Sequence, residues 1–243
     1  MDFAYNDEQK DIIKVVRDLV QKEIVPYAAE MDETGKLHEG LLDKLAAQGL
    51  LGVAIPEEFG GAGLDAITIA GVYEELAKGC GGVATTVAAN ALASYPVILA
   101  GNDDQKKRYF DVINEDNLAA FALTEPGTGS DAGSVSTRAT KTEDGKGYLL
   151  NGTKCFITNG GLAEIFVVFA NTRKTGGIRG LTPFIVRKGT PGFTIGKEEN
   201  KMGIRASNTT ELIFDNCFVP VEDRLGREGS GFRIAMATLD ARS

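Results

Sequence analysis

Apolar residues recur at helical spacing along the first part of the chain and at the shorter, alternating spacing of strands after Asn117. Ile12, Val16, Leu19 and Val20 share one face of a predicted first helix, with Asn6 as its cap, Gln9 at the capping-box position and Pro26 disturbing its end. A second helix is predicted over Leu41 to Ala46, closed by Gly49 in the left-handed position that follows a helix. After the loop Pro56 to Gly63, Asp65 caps a third helix running to about Ala77. Residues 83–100 form a fourth, and Asp103 to about Val112 a fifth.

Beyond Asn117 the chain breaks into short β-branched or aromatic runs separated by glycines: Ala119 to Leu123, Val135 to Thr140, Gly147 to Leu150, Lys154 to Ile157, Ile165 to Phe169, Thr182 to Val186 and Thr210 to Phe214. Asn151-Gly152, between two of these runs, is a hairpin signal. Many short strands with no helical period between them predict an antiparallel sandwich or barrel. The expected fold class is therefore α+β: a helical domain over 1–117, a β domain over 118–228, and the start of another helix within 229–243. That last helix, Gly231 to Asp240, carries Phe232, Met236 and Leu239 with no apparent packing partner, which points to a further domain.

With 43% hydrophobic and 25% charged residues over 243 positions, the chain has the balance of a soluble globular protein. A net charge of -8 argues against nucleic-acid binding, which normally needs a basic face. Cys80, Cys155 and Cys217 are far apart, no CxxC occurs, and His38 is the only histidine. A metal site or disulfide framework is therefore not expected, a Ser-His-Asp triad is disfavoured, and a reducing cytoplasm is the expected setting. No secretory signal is visible at Met1 to Tyr5. Gly79 to Asn102 contains no charged residue, yet Asn90, Ser94 and Pro96 lie within it, so a helix buried by protein is expected rather than a membrane span.

Two segments could carry chemistry. Phe121 to Gly133 leaves a strand and enters a loop rich in Gly, Ser and Thr; Gly127, Gly129 and Gly133 miss the dinucleotide fingerprint by one residue, and no helix follows. Such a loop can offer backbone N–H groups and small hydroxyls to a phosphate or carbonyl oxygen, or it can be an ordinary cluster of turns. Asn151 to Gly161 reads by itself as a strand ending in a Gly-Gly turn.

Taken together, Thr124-Glu125-Pro126-Gly127 and Phe156-Ile157-Thr158, in this order behind a helical domain, resemble the acyl-CoA dehydrogenase family, and the short-chain bacterial type above all. Lys201-Met202-Gly203-Ile204-Arg205, Val219-Pro220 and Gly229-Ser230-Gly231-Phe232 fit the same resemblance. It implies FAD as cofactor, lined by Phe121, Leu123, Thr124, Gly129 and Ser130 from the first segment and by Phe156, Ile157 and Thr158 from the second. Thr124 would bond the flavin pyrimidine, Thr158 would lie near N5, and Phe156, where relatives often have tryptophan, would cover one flavin face. Ser130 would sit where the pyrophosphate and the CoA come close, and Asp240 would contact substrate.

The implied reaction is α,β-dehydrogenation of an acyl-CoA to a trans-2-enoyl-CoA, with electron-transfer flavoprotein as the electron acceptor and a homo-oligomer as the working form. The family's general base is a glutamate in a C-terminal four-helix domain, expected beyond Ser243, so no catalytic residue is assigned here and Glu125 is read as a structural turn residue. Two alternatives stay open: a non-catalytic fragment of that family, or an enoyl-CoA reductase of the same fold.

Overall fold

A computed structural model describes residues 4–240. Helix α1 (Asp7–Leu19) starts at Asn6, whose Oδ1 accepts the Gln9 N–H at 2.8 Å while the Asn6 N–H donates to Gln9 Oε1 at 3.0 Å. Its C-terminal end widens into a π-turn over Val20–Ile24 and a tight turn over Val25–Tyr27. Pro26, which lacks an N–H, thus bends the chain without ending it, and α2 (Ala28–Thr34) follows. Helices α3 (Leu41–Ala47), α4 (Ala66–Gly79) and α6 (Asp103–Asn114) occupy the predicted places, with Asp65 accepting from the Thr68 N–H to cap α4 and Gly49 at φ 70° past α3.

Helix α5 (Gly81–Ala100) is the uncharged segment, and by length and composition it could cross a membrane. It is instead largely buried, with Val83, Val87, Ala91, Ala93 and Val97 in a core shared by the helices and the sheet. The Asn90 side chain crosses that core. Its Nδ2 donates to Leu51 C=O at 2.7 Å and its Oδ1 accepts from the Ala119 N–H at 2.5 Å, linking α5, the loop after α3 and the first strand.

Among the described residues the strands are β1 (Ala119–Ala122), β2 (Arg138–Lys141), β3 (Gly147–Thr158), β4 (Ile165–Asn171), β5 (Leu181–Arg187), β6 (Phe193–Glu198) and β7 (Thr209–Pro220). They form one sheet in the order β1-β4-β2-β3-β7-β6, with β5 also on β4. Helices precede a β domain as expected, but the sheet is mixed: β1 and β2 each run parallel to β4, and the other pairings are antiparallel. Because β1 enters directly from the helical part, it can lie alongside β4 without a hairpin. Every residue of β4 is buried, as its unbroken apolar run requires.

Three expectations are corrected. Asn151-Gly152 is not a hairpin turn; β3 runs straight through it, with a register shift against β7. Gly152 is needed for close approach, since a Cβ there would lie 2.5 Å from Thr137 Oγ1, and the Asn151 side chain accepts from the Asn216 N–H at 2.8 Å. The edge strand β6 was missed because Gly196 and Lys197 interrupt its apolar alternation. Finally, α7 (Gly231–Asp240) does find partners: it packs on α5 and β5, with Ile234 and Ala235 buried and Phe232 and Met236 against the core. A bare Gly231 permits this, because a Cβ would meet the Leu181 backbone at 2.6 Å. Leu239 alone of the three apolar residues named above remains exposed.

Candidate functional site

The two segments marked in the sequence meet where the Cys155 N–H donates to Thr124 C=O at 3.0 Å. Here β3 shifts register against β7 between Lys154 and Ile157, and Phe156 takes a left-handed backbone, φ 55°. This irregularity breaks the strand's alternation: Lys154 and Cys155 both point inward, Ile157 is buried, and Phe156 is turned out with 64% of its surface exposed. A bulky side chain at positive φ stores roughly 1–2 kcal/mol of strain. Replacing Phe156 with glycine should therefore raise stability by about 1 kcal/mol in urea denaturation; a fall would show that packing, not strain, dominates there.

Thr158, two residues after Phe156, and Thr124, bonded to the neighbouring Cys155, are both half-buried, and Phe121, half-buried on β1, rests its ring 5.1 Å from that of Phe169. Leu123 and Ile157 are buried, so their side chains serve the core and only their backbone could face a ligand. Glu125 and Thr128 exchange both backbone hydrogen bonds, at 3.1 and 3.0 Å, closing a tight turn. Gly127 within it and Gly129 and Ser130 beyond it are exposed, and nothing lies within 4 Å of where a Cβ of either glycine would sit. Asp240 is the exposed last residue of α7.

Sequence reasoning missed Lys154. Its ammonium is fully buried and donates to Leu123 C=O at 2.9 Å and to Glu125 Oε1 at 2.8 Å. Glu125 also accepts from the Thr137 N–H at 2.9 Å, the Ser136 N–H at 2.7 Å and Ser136 Oγ at 2.5 Å. The sign that could have revealed it is that Lys154 is the single charged residue of a long strand and leads into Cys155-Phe156-Ile157, so that its ammonium needs a partner if the strand is buried.

Burial by itself pushes the Glu125 carboxyl up, but the Lys154 ammonium with the Ser136 and Thr137 donors outweighs it and holds the group well below the usual carboxylate range. Burial lowers Lys154, with Glu125 opposing. On the surface side of the helices, hydrogen bonds from Arg17 and then Lys78 take Glu75 down to about 2. Both carboxyls have folded pKa values below their unfolded ones. The stability they contribute is present above the unfolded value and is lost as pH falls through the folded one. The protein should therefore lose stability steeply between about pH 4.5 and 2, with Glu125 contributing on the order of 2–3 kcal/mol and Glu75 less, because its partner Arg17 is half exposed. Acid titration followed by far-UV circular dichroism checks this, and the Glu125→Gln chain should show a shallower decline.

An exposed aromatic face, two threonines beside it and a glycine loop with open backbone suit a flat heteroaromatic ring joined to a phosphate chain. Residues 6–115 match the description "Acyl-CoA dehydrogenase, N-terminal domain", and residues 120–217 match "Acyl-CoA dehydrogenase, middle domain".

The chain belongs to the acyl-CoA dehydrogenase family.

It is 45% identical over 245 residues to a short-chain specific acyl-CoA dehydrogenase of Megasphaera elsdenii, covering 99% of this chain and 64% of that one. It superposes on the solved structure of butyryl-CoA dehydrogenase from Megasphaera elsdenii with a TM-score of 0.94 and 44% identity, over 100% of this chain and 64% of that one. A solved acyl-CoA dehydrogenase complexed with FAD, from Bacillus anthracis, gives a TM-score of 0.89 at 38% identity, over 98% and 41% of the two chains. The chain thus spans less than two thirds of the length of these acyl-CoA dehydrogenases.

Proposed function

We propose that this chain supplies the flavin- and thioester-positioning part of an FAD-dependent short-chain acyl-CoA dehydrogenase. The observation that carries the reading is Phe156, an aromatic ring turned out by a strand irregularity where the Thr158 segment meets the Thr124 segment, in a chain of this family. When bound, FAD supplies the hydride acceptor for α,β-dehydrogenation of an acyl-CoA to a trans-2-enoyl-CoA.

Phe156 offers its face for stacking and excludes water from one side of the ring. Thr124 and Thr158 supply hydroxyl partners for polar ring edges, and the open backbone at Gly127 and Gly129 with Ser130 suits the pyrophosphate. Asp240 and Ser130 are the candidate contacts to CoA. Glu125 cannot serve as the base that takes the α-proton, because its carboxylate is buried and already accepts four hydrogen bonds. That base is assigned to a glutamate beyond Ser243. Electron-transfer flavoprotein is the proposed electron acceptor, a homo-oligomer the working form and the cytoplasm the compartment.

The test is a visible spectrum of the purified 243-residue chain after incubation with FAD and removal of free cofactor, before and after anaerobic addition of butyryl-CoA. Retained flavin absorbance without bleaching is expected. Bleaching would place a base within this chain, and colourless protein would remove the flavin-positioning role.

A further inference from the structure

The buried Lys154 and Glu125 side chains do more than fill the interior, because beyond their own ion pair and the Ser136 hydroxyl they bond to backbone, at Leu123, Ser136 and Thr137. Lys154 lies two residues before Phe156 and holds the carbonyl of Leu123, one residue before Thr124, at 2.9 Å. Glu125, one residue after Thr124, takes the same ammonium at 2.8 Å and the N–H groups of Ser136 and Thr137. Thr124 is thus clamped from both sides by one cation, and the Cys155 N–H to Thr124 C=O bond lies between the two clamps. The loop that carries Gly127, Gly129 and Ser130 is fixed at its entry by Glu125 and at its return by Ser136 and Thr137.

An apolar pair could fill this space at less desolvation cost, since taking two charges out of water is expensive. What an apolar pair could not do is hold one carbonyl, two amides and a hydroxyl in fixed directions. The strand gives the same indication. Phe156 stays at positive φ only if its surroundings enforce it, and the inward turn of Lys154, two residues before it, is part of the irregularity that does so.

We infer that Lys154 and Glu125 are positioning residues that preset Thr124 and Phe156 for the cofactor, acting through backbone and touching no ligand themselves. The inference rests on the proposed function for its ligand but not for its test. The chain contains no tryptophan, so Phe156→Trp, an aromatic-for-aromatic change, creates a single fluorescent reporter at the site. In this background Lys154→Met strands a buried carboxylate and could act through stability alone. The deciding variant is therefore Glu125→Gln with Lys154→Met, which removes both charges together and keeps an acceptor toward Ser136.

At a temperature where far-UV circular dichroism shows the double variant fully folded, the tryptophan anisotropy should fall and its emission shift relative to the single Phe156→Trp chain. FAD titrated into the double variant should bind about tenfold more weakly, the loss expected when groups must be ordered on binding. A folded double variant with unchanged anisotropy and emission would overturn the inference whatever the flavin does. Failure of the Phe156→Trp parent and the unaltered chain to bind FAD would instead count against the proposed function, leaving the fluorescence result to decide the role of the pair.

Discussion

Lys154→Met, made alone, is expected to lower the free energy of unfolding by roughly 3–5 kcal/mol, the cost of removing one partner of a buried ion pair. The methionine nearly matches the lysine stem in volume, so little of the loss comes from packing. It comes from Glu125, whose carboxylate is left in the interior with hydrogen bonds from Ser136 and Thr137 but no opposing charge. Part of the loss should return when Glu125→Gln is added, because the remaining amide carries no charge to desolvate. Urea denaturation of the two single variants and the double variant measures the coupling directly. A Lys154→Met chain as stable as the parent would mean that water reaches this site.

Asn90→Ala should cost about 4 kcal/mol by a different route. The asparagine carries no charge, but both ends of its amide bond to backbone, at Leu51 C=O and the Ala119 N–H. Truncation leaves a carbonyl and an amide unpaired in the core, each costing roughly 1–3 kcal/mol, and opens a small cavity in α5. Because Asn90 joins helices to sheet, the variant should also show faster hydrogen exchange at the start of β1 than at the centre of β4. Exchange that rises uniformly would show that the side chain stabilises the whole without linking its parts.

The helices were legible because their signals are local. Asn6 with Gln9 and Asp65 before Thr68 are caps that act within one turn, and both are formed. The sheet was less legible because register is set by distant partners. Asn151-Gly152 has the composition of a turn, yet Phe214 and Thr137 pair with or press against it, and the tertiary partner overrides the local preference. At the candidate site, Thr124 and Phe156 were marked by resemblance to a family, and the structure joins their segments through the Cys155 N–H. The pairing of the buried lysine that clamps them was not legible, for the same reason as the register. Its partner Glu125 is 29 residues away in the chain, and no periodic pattern reports a single long-range contact.

The shared core also bears on how the chain is made. α5 is complete once Ala100 has been synthesised, but the face it buries against the sheet is covered only when β1 has emerged and β4, ending at Asn171, has come to lie beside it. At ordinary rates of synthesis that interval lasts on the order of 4–14 s, far longer than helix formation takes. For that time a 20-residue helix without a charge stands outside the ribosome with its apolar side uncovered. Of the polar groups along it, Thr86 and Ser94 bond to carbonyls of the same helix, so the Asn90 amide is the one that waits for the Ala119 N–H to arrive with the sheet.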